Sequence, residues 1–288
     1  MMIKNWLIRG DTHGDFTWMT NGCLDTYKSS ETAIIILGDA GFNFHLNKSE
    51  QRHKKEINDR GYKFYCVRGN HEERPQNIPN MNRVYDDEVK GYVYMEEEYP
   101  NIRYFLDYGR YAIDKYICLI IGGAYSVDKN WRLSRVGLTE ETNDPKKSGW
   151  FAEEQLTTNE MTDCSLWLDT LSDPTFDFVF SHTCPKKYQP VDKFLSFIDQ
   201  STVDISMETW MEAISKKIEV NYAWLWGHFH DDRIEAPHME MYYHDIEELD
   251  VIAERWKKYD ETGELDWYLV KSPLYYQHEQ EYEDDNYK

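Results

Sequence analysis

Short apolar runs and polar stretches take turns along the first third of the chain. Trp6-Leu7-Ile8, the Ile-rich residues 33–37 and residues 63–67 have the length and make-up of buried strands. Residues 16–27 are mixed and residues 48–60 are polar and rich in helix formers, so both are expected as helices. This βαβαβ rhythm predicts a parallel sheet.

The pattern then changes. Residues 89–95, 102–106, 111–114 and 116–121 are strand-like and closely spaced, which predicts a second sheet with antiparallel pairs packed on the first. Residues 128–149 are polar and aperiodic and read as one long loop, a kind of segment that is often functional. Residues 150–171 read as a helix, with Glu153 and Glu154 near a start that favours negative charge. Residues 177–180 and 222–226 read as strands, 206–218 as a helix, 185–205 as a loop-rich insertion and 239–243 as a last strand. The acidic stretch 278–288 is expected to fray. With no internal repeat or low-complexity linker, residues 1–245 are expected to form one α/β domain and residues 246–288 a C-terminal extension with an acidic tail.

The chemistry lies in how these strands end. Gly10-Asp11, Gly38-Asp39, Gly69-Asn70 and Gly227-His228 each follow a strand, and Ser181-His182 follows a fifth. Glycine lets the chain turn sharply and aim the next side chain inward. Ends of strands in one sheet converge on its C-terminal edge, where open α/β sheets place ligands. Asp11 with His13, and His228 with His230, are two apart and project to one side in extended chain. The set Asp11, His13, Asp39, Asn70, His182, His228 and His230 mixes carboxylate, amide and imidazole without thiolate, which argues against a structural zinc knuckle. Seven such groups suit two ions with a shared bridge, and Asp39 is the natural bridging carboxylate. Any one of these residues alone reads more simply as a turn or helix cap. The assignment rests on their number and order.

Charge and composition narrow the partners. The chain has 288 residues, 41% hydrophobic, enough for a sizeable core, and a formal net charge of −21. That charge repels duplex nucleic acid and anionic membrane at long range, whereas a bound cation still draws a phosphate locally. No apolar run approaches the roughly 20 residues that span a bilayer, and residues 1–9 lack the run of a signal peptide. The five cysteines are scattered, with no CxxC pair, and read as reduced thiols, so a cytoplasmic location is expected.

Gly10-Asp11-Thr12-His13-Gly14, Gly38-Asp39, Gly69-Asn70-His71-Glu72, His182 and Gly227-His228-Phe229-His230 together resemble the ordered motifs of the calcineurin-like metallophosphoesterases, and the block from Gly122 to Ser126 with Trp131-Arg132 is similar to bacterial and phage-encoded members. The resemblance implies a four-layer α/β/β/α sandwich of two mixed β-sheets flanked by helices. It implies two divalent ions (manganese, iron, zinc, nickel or cobalt) and hydrolysis of a small phosphorylated substrate by a metal-activated hydroxide. Asp11, His13 and His230 would hold the first ion, Asn70, His182 and His228 the second, with Asp39 bridging. His71 would be the catalytic histidine, and Arg68 a second catalytic candidate that reaches a phosphate oxygen.

A phosphomonoester or phosphodiester, including a nucleotide, fits the charge. The run from Arg68 to Glu72 is also similar to serine/threonine protein phosphatases, but Gly38-Asp39-Ala40-Gly41 stands where those enzymes carry Asp-Arg-Gly. A non-catalytic metal-binding scaffold of the same fold is the other alternative. Lys129, Arg132 and Arg135 could line a substrate entrance but read more simply as solvated loop charges, Tyr125, Trp131 and Trp150 could stack on a base or ring but read more simply as packing, and His45, His53, His238, His244 and His278 match no motif.

Overall fold

The computed structural model describes residues 2–194 and 199–265. From the N-terminus, β1 (Asn5–Arg9), β2 (Thr32–Ile36), α1 (Lys48–Asp59) and β3 (Lys63–Cys66) follow the expected rhythm. Next come β4 (Met81–Asp86), β5 (Gly91–Glu96), β6 (Ile102–Phe105), β7 (Tyr108–Ile113) and β8 (Tyr116–Ile121). Then follow α2 (Lys129–Arg135), α3 (Pro145–Ser148), α4 (Thr158–Asp169), β9 (Thr175–Ser181), α5 (Ser206–Ile214) and β10 (Glu219–Trp226). The described chain ends with β11 (Arg233–Ala236), β12 (Met239–Met241), β13 (Ile246–Glu248) and α6 (Leu249–Thr262). The seven-stranded sheet runs β13-β1-β2-β3-β6-β5-β4 and the six-stranded sheet runs β11-β12-β10-β9-β8-β7. Strands β1, β2, β3 and β6 are parallel, as are β8, β9, β10 and β12, with antiparallel strands at the edges of both sheets.

Alternation along the strands sorts the side chains into layers. Ile8, Ile35 and Tyr65 point between the sheets and meet Ile120, Phe178 and Leu225. Their neighbours Leu7, Ile34 and Phe64 point outward and pack with Ile57 of α1. On the far side, Leu119, Val179 and Trp224 pack with Cys164 of α4 and Met211 of α5. These layers make the expected α/β/β/α sandwich of two mixed sheets. Among the described residues, no helix is long and apolar enough to cross a membrane.

Several elements differ from expectation. Residues 16–27 hold a four-residue 3-10 turn, Thr17–Thr20, not a helix. Asp15 Oδ1 takes both the backbone N–H and the hydroxyl of Thr17, and Gly22 at φ 85° turns the chain away. Residues 89–95 and 102–106 belong to the first sheet, because β6 lies parallel to β3 and β5 and β4 fold back on it. β4 carries mostly exposed polar side chains at the sheet edge, so its sequence gives no apolar run. Residues 128–149 contain α2 and α3 in place of one loop. The helix expected from residue 150 starts at Thr158, where Thr157 and Glu160 form a capping box.

The stretch from residue 246, expected as an extension, enters the sandwich. β13 pairs antiparallel with β1, and Ile252, Ala253 and Trp256 of α6 pack on the layer between the sheets. The acidic stretch 278–288 lies outside the described residues. Arg255 of α6 is buried between Glu240 and Glu247, Trp256 Nε1 donates to Glu240, and the Tyr242 hydroxyl donates to Glu247 Oε2 at 2.6 Å. Removing the cation leaves two buried carboxyl groups unpaired. Arg255→Ala is therefore expected to destabilise the fold by about 3–5 kcal/mol, read by urea unfolding. A loss below about 1 kcal/mol would contradict a buried ionic clamp.

Candidate metal centre

The C-terminal ends of β1, β2 and β3 lie side by side in one sheet, and those of β9 and β10 lie side by side in the other. Asp11, Asp39 and Asn70 follow the first three ends, and His182 and His228 follow the other two. The sheets face each other, so the five residues meet across the gap. One contact marks the crossing: His182 Nδ1 lies 2.8 Å from the carbonyl oxygen of Leu37, at the end of β2.

Each carboxylate is held by one oxygen and turned inward by the other. Asp11 Oδ1 accepts from the His228 N–H at 2.9 Å, and Asp39 Oδ1 accepts from the His71 N–H at 2.8 Å. Asp11 Oδ2 lies 3.3 Å from His230 Nε2 and 3.7 Å from His13 Nε2, and makes no hydrogen bond of good geometry. Asp39 Oδ2 lies 3.6 Å from His182 Nε2 and 4.0 Å from His13 Nδ1. His13 Nε2 and His230 Nε2 approach to 2.9 Å. Asn70 Oδ1 faces His182 Nε2 at 2.8 Å and His228 Nδ1 at 3.1 Å. All seven residues of the sequence-derived set thus come together. Two groups have ligand atoms within 4.8 Å of one another: Asp11, His13 and His230, and Asp11, Asp39 and His182. Asp11 is common to both, while Asp39 reaches one histidine from each.

The glycines serve a purpose beyond turning. A Cβ on Gly69 would collide with the Asp39 carboxylate, one on Gly227 with that of Asp11, and one on Gly38 with the His182 ring. Only Gly38 among the three has positive φ, at 106°. The other two leave room for a neighbouring strand's carboxylate. Four of the seven residues, His13, Asp39, His228 and His230, have φ between 46° and 70°, a region that costs non-glycine residues energy.

Further shells fix the orientation. Asn70 Nδ2 donates to Ser126 Oγ at 2.8 Å, and Ser126 donates through Oγ and N to the two oxygens of Glu154 at 2.5 and 3.0 Å. This chain turns the amide oxygen of Asn70 toward the histidines. Arg68 does not line the cavity. Its guanidinium is buried against Asp107 and the carbonyls of Glu153 and Glu154, so it holds the Glu154 segment and does not face a substrate. The cation beside His71 at the cavity is Arg132. Its Nη2 lies 3.3 Å from His71 Nε2, and its Nε donates to both Asp128 oxygens at 2.7 Å. The Asp128–Arg132 spacing of four is a helix-face pairing that a loop reading hides. Ser126 stands out in the sequence only as the end of the Gly122–Ser126 block and Glu154 only as a helix-start charge; nothing there links either to Asn70. His45 lines the cavity as well.

The electrostatics favour positive charge. Burial alone depresses an imidazole, yet Asp39 and Asp11 lift His182 to about 9. Both of its nitrogens face acceptors, which favours the doubly protonated ring, and the Leu37 contact at Nδ1 leaves Nε2 turned toward Asn70 and Asp39. Burial and the nearby His182 push His228 down to about 3. Although burial works against it, Asp11 and Asp39 are held below the usual carboxylate range, first by His182. Two buried carboxylates, an unpartnered Asp11 oxygen and converging imidazole nitrogens are a donor set that fits divalent cations.

The model of the calcineurin-like phosphoesterase family matches residues 7–232, and the chain belongs to that family. Membership implies metal-dependent phosphoester hydrolysis. Among curated proteins, no match is found. One solved structure, whose title prints only "Crystal structure of", shares 14% identity at a TM-score of 0.43, covering 86% of this chain and 98% of that one. Another is the Termus thermophilus sulfate thiohydrolase SoxB in complex with glycerol. It shares 12% identity at a TM-score of 0.37, covering 84% of this chain and 52% of that one.

Two predictions follow from the packing. Gly227→Ala should keep the fold by circular dichroism but lose bound metal by elemental analysis, because Asp11 must move; full metal occupancy would refute the close-approach role. Ser126→Ala should weaken metal binding in a chelator competition by about tenfold or more, because Asn70 loses the acceptor that turns its amide oxygen inward. Unchanged affinity would remove Ser126 from the orientation of Asn70.

Proposed function

We propose that this protein is a dinuclear metal-dependent hydrolase of small phosphoesters, acting in the cytoplasm. The observation that carries the reading is the convergence of seven donors at the edge of a cavity that also holds His71 and Arg132. Asp11, His13 and His230 would hold one ion and Asn70, His182 and His228 the other, with Asp39 placed to serve both. The closeness of Asp11 to both groups supports a shared part for it as well. When bound, the two ions supply Lewis acidity toward phosphoryl oxygens and lower the pKa of water between them. Five buried, unpaired thiols support a reducing compartment.

The chain's own groups do the rest. Arg132, held flat by Asp128, offers N–H donors to a phosphate oxygen at the cavity. His71 Nε2 faces two donors, Arg132 Nη2 and Asn70 Nδ2, each at 3.3 Å, which makes it the unprotonated nitrogen of a neutral ring. Burial, with Arg132 adding to it, lowers the His71 pKa against the pull of Asp39. A bound phosphate dianion opposes Arg132, so His71 takes up a proton with the substrate and gives it to the leaving oxygen.

The test is hydrolysis of p-nitrophenyl phosphate and of its bis ester, with manganese, iron, zinc, nickel or cobalt added. Metal-dependent release from at least one ester is expected, and release from neither with any metal would overturn the reading in favour of a scaffold. His71→Ala should keep its metal and lose about 10²–10⁴-fold in turnover. Wild-type turnover in that variant would remove His71 from the chemistry.

A further inference from the structure

We infer that the cavity beside the metal centre binds a nucleobase, its ring laid on a shelf made by Phe194 and Phe229 and its polar edge met by the carboxyl group of Glu208. The inference rests on the proposed phosphoester site for the phosphate and names the group that the phosphate carries.

The cavity holds about 570 Å³, within the range of about 300–1,000 Å³ typical of small-molecule sites and far more than a phosphate needs. The metal-binding residues and His71 occupy one side. The opposite side comes from Gln189, Lys193 and Phe194, from residues 200–205 and from Glu208 of α5. Phe194 and Phe229 are half-buried there, stacked at 6.3 Å between centroids with 24° between planes. Phe229 lies between His228 and His230, so the shelf begins where the phosphate would sit. A flat apolar surface beside an anion site suits a planar ring joined to a phosphate.

Phe194 is strapped in place. Asp192 makes a two-point pair with Arg233 at 2.8 Å, and Lys193 pairs with Asp231 at 3.0 Å. Both partners lie just after His230, so the shelf is tied to the segment that carries the metal ligands.

Glu208 supplies the polar reading. It lines the cavity at 3% exposure, Oε1 accepts from the Thr183 hydroxyl at 2.9 Å, and Oε2 has no partner among the described residues. A buried polar atom without a partner calls for a ligand or water. Burial pushes this carboxyl up to about 7. Ionised, it accepts from a base N–H; protonated, it donates to a ring nitrogen. The net charge of −21 keeps polymeric nucleic acid away while leaving a mononucleotide able to enter.

The test is calorimetric titration of the metal-loaded full chain with non-hydrolysable phosphonates. Guanosine, adenosine and uridine 5′-phosphonates are compared with ribose 5-phosphonate and benzylphosphonate. The nucleoside compounds are expected to bind about tenfold or more tightly than the ribose compound. Phe194→Ala should erase that difference while leaving ribose 5-phosphonate affinity as it was, and Glu208→Gln should reorder the three bases. Equal affinity with and without a base would overturn the inference, as would benzylphosphonate binding as tightly as the nucleosides. The two readings fail separately. Base preference without any ester hydrolysis sinks the hydrolase and spares this inference, and hydrolysis without base preference does the reverse.

Discussion

Two ionised carboxylates, Asp11 and Asp39, are buried where the two sheets meet, and positive charge beside them is what makes that burial tolerable. In the metal-free chain, His182 supplies the charge by holding a second proton. A divalent ion bound there would supply it more fully. Much of the surrounding construction serves to keep these groups close: backbone N–H bonds to one oxygen of each carboxylate, and a hydrogen-bonded chain behind Asn70.

Closeness has a steric cost as well as an electrostatic one. The strand ends can approach only because Gly38, Gly69 and Gly227 carry no Cβ where a neighbour's ring or carboxylate must lie. Beyond the glycines, His13, Asp39, His228 and His230 accept left-handed backbone. Such strain persists when the rest of the fold over-determines it. Here the two sheets and the layer of Ile8, Ile35, Ile120 and Leu225 between them provide that rigidity.

Much of this was legible in the sequence, for identifiable reasons. β1, β2, β3, β9 and β10 are buried on both faces, so their runs are apolar and easily read, and the metal-capable residues follow them directly. β4 was missed because one side of an edge strand faces water. The helix expected at residues 16–27 fails because Thr17 and Trp18 hydrogen-bond back to Asp15 and close a short turn. Arg68 was misread because it adjoins Gly69 in sequence, while its side chain points into a buried network with Asp107. Arg132 is legible only as one of three charges that could line a substrate entrance, since nothing in a polar stretch announces that α2 brings it beside His71. Ser126, Glu154 and Glu208 act through contacts between segments far apart in the chain, which no local pattern encodes.

The pairing of β1 with β13, and the packing of α6 against the layer between the sheets, join the two ends of the described chain. During synthesis the first strand emerges well before its edge partner, which pairs with it from far downstream in the chain. The nascent polypeptide therefore leaves β1 with an open backbone edge, and Asp11 on an unfinished sheet, until α6 has cleared the ribosome exit tunnel. Assembly of the pocket is a late, long-range event in the life of each molecule, and slow topologies of this kind are where chaperones find their clients.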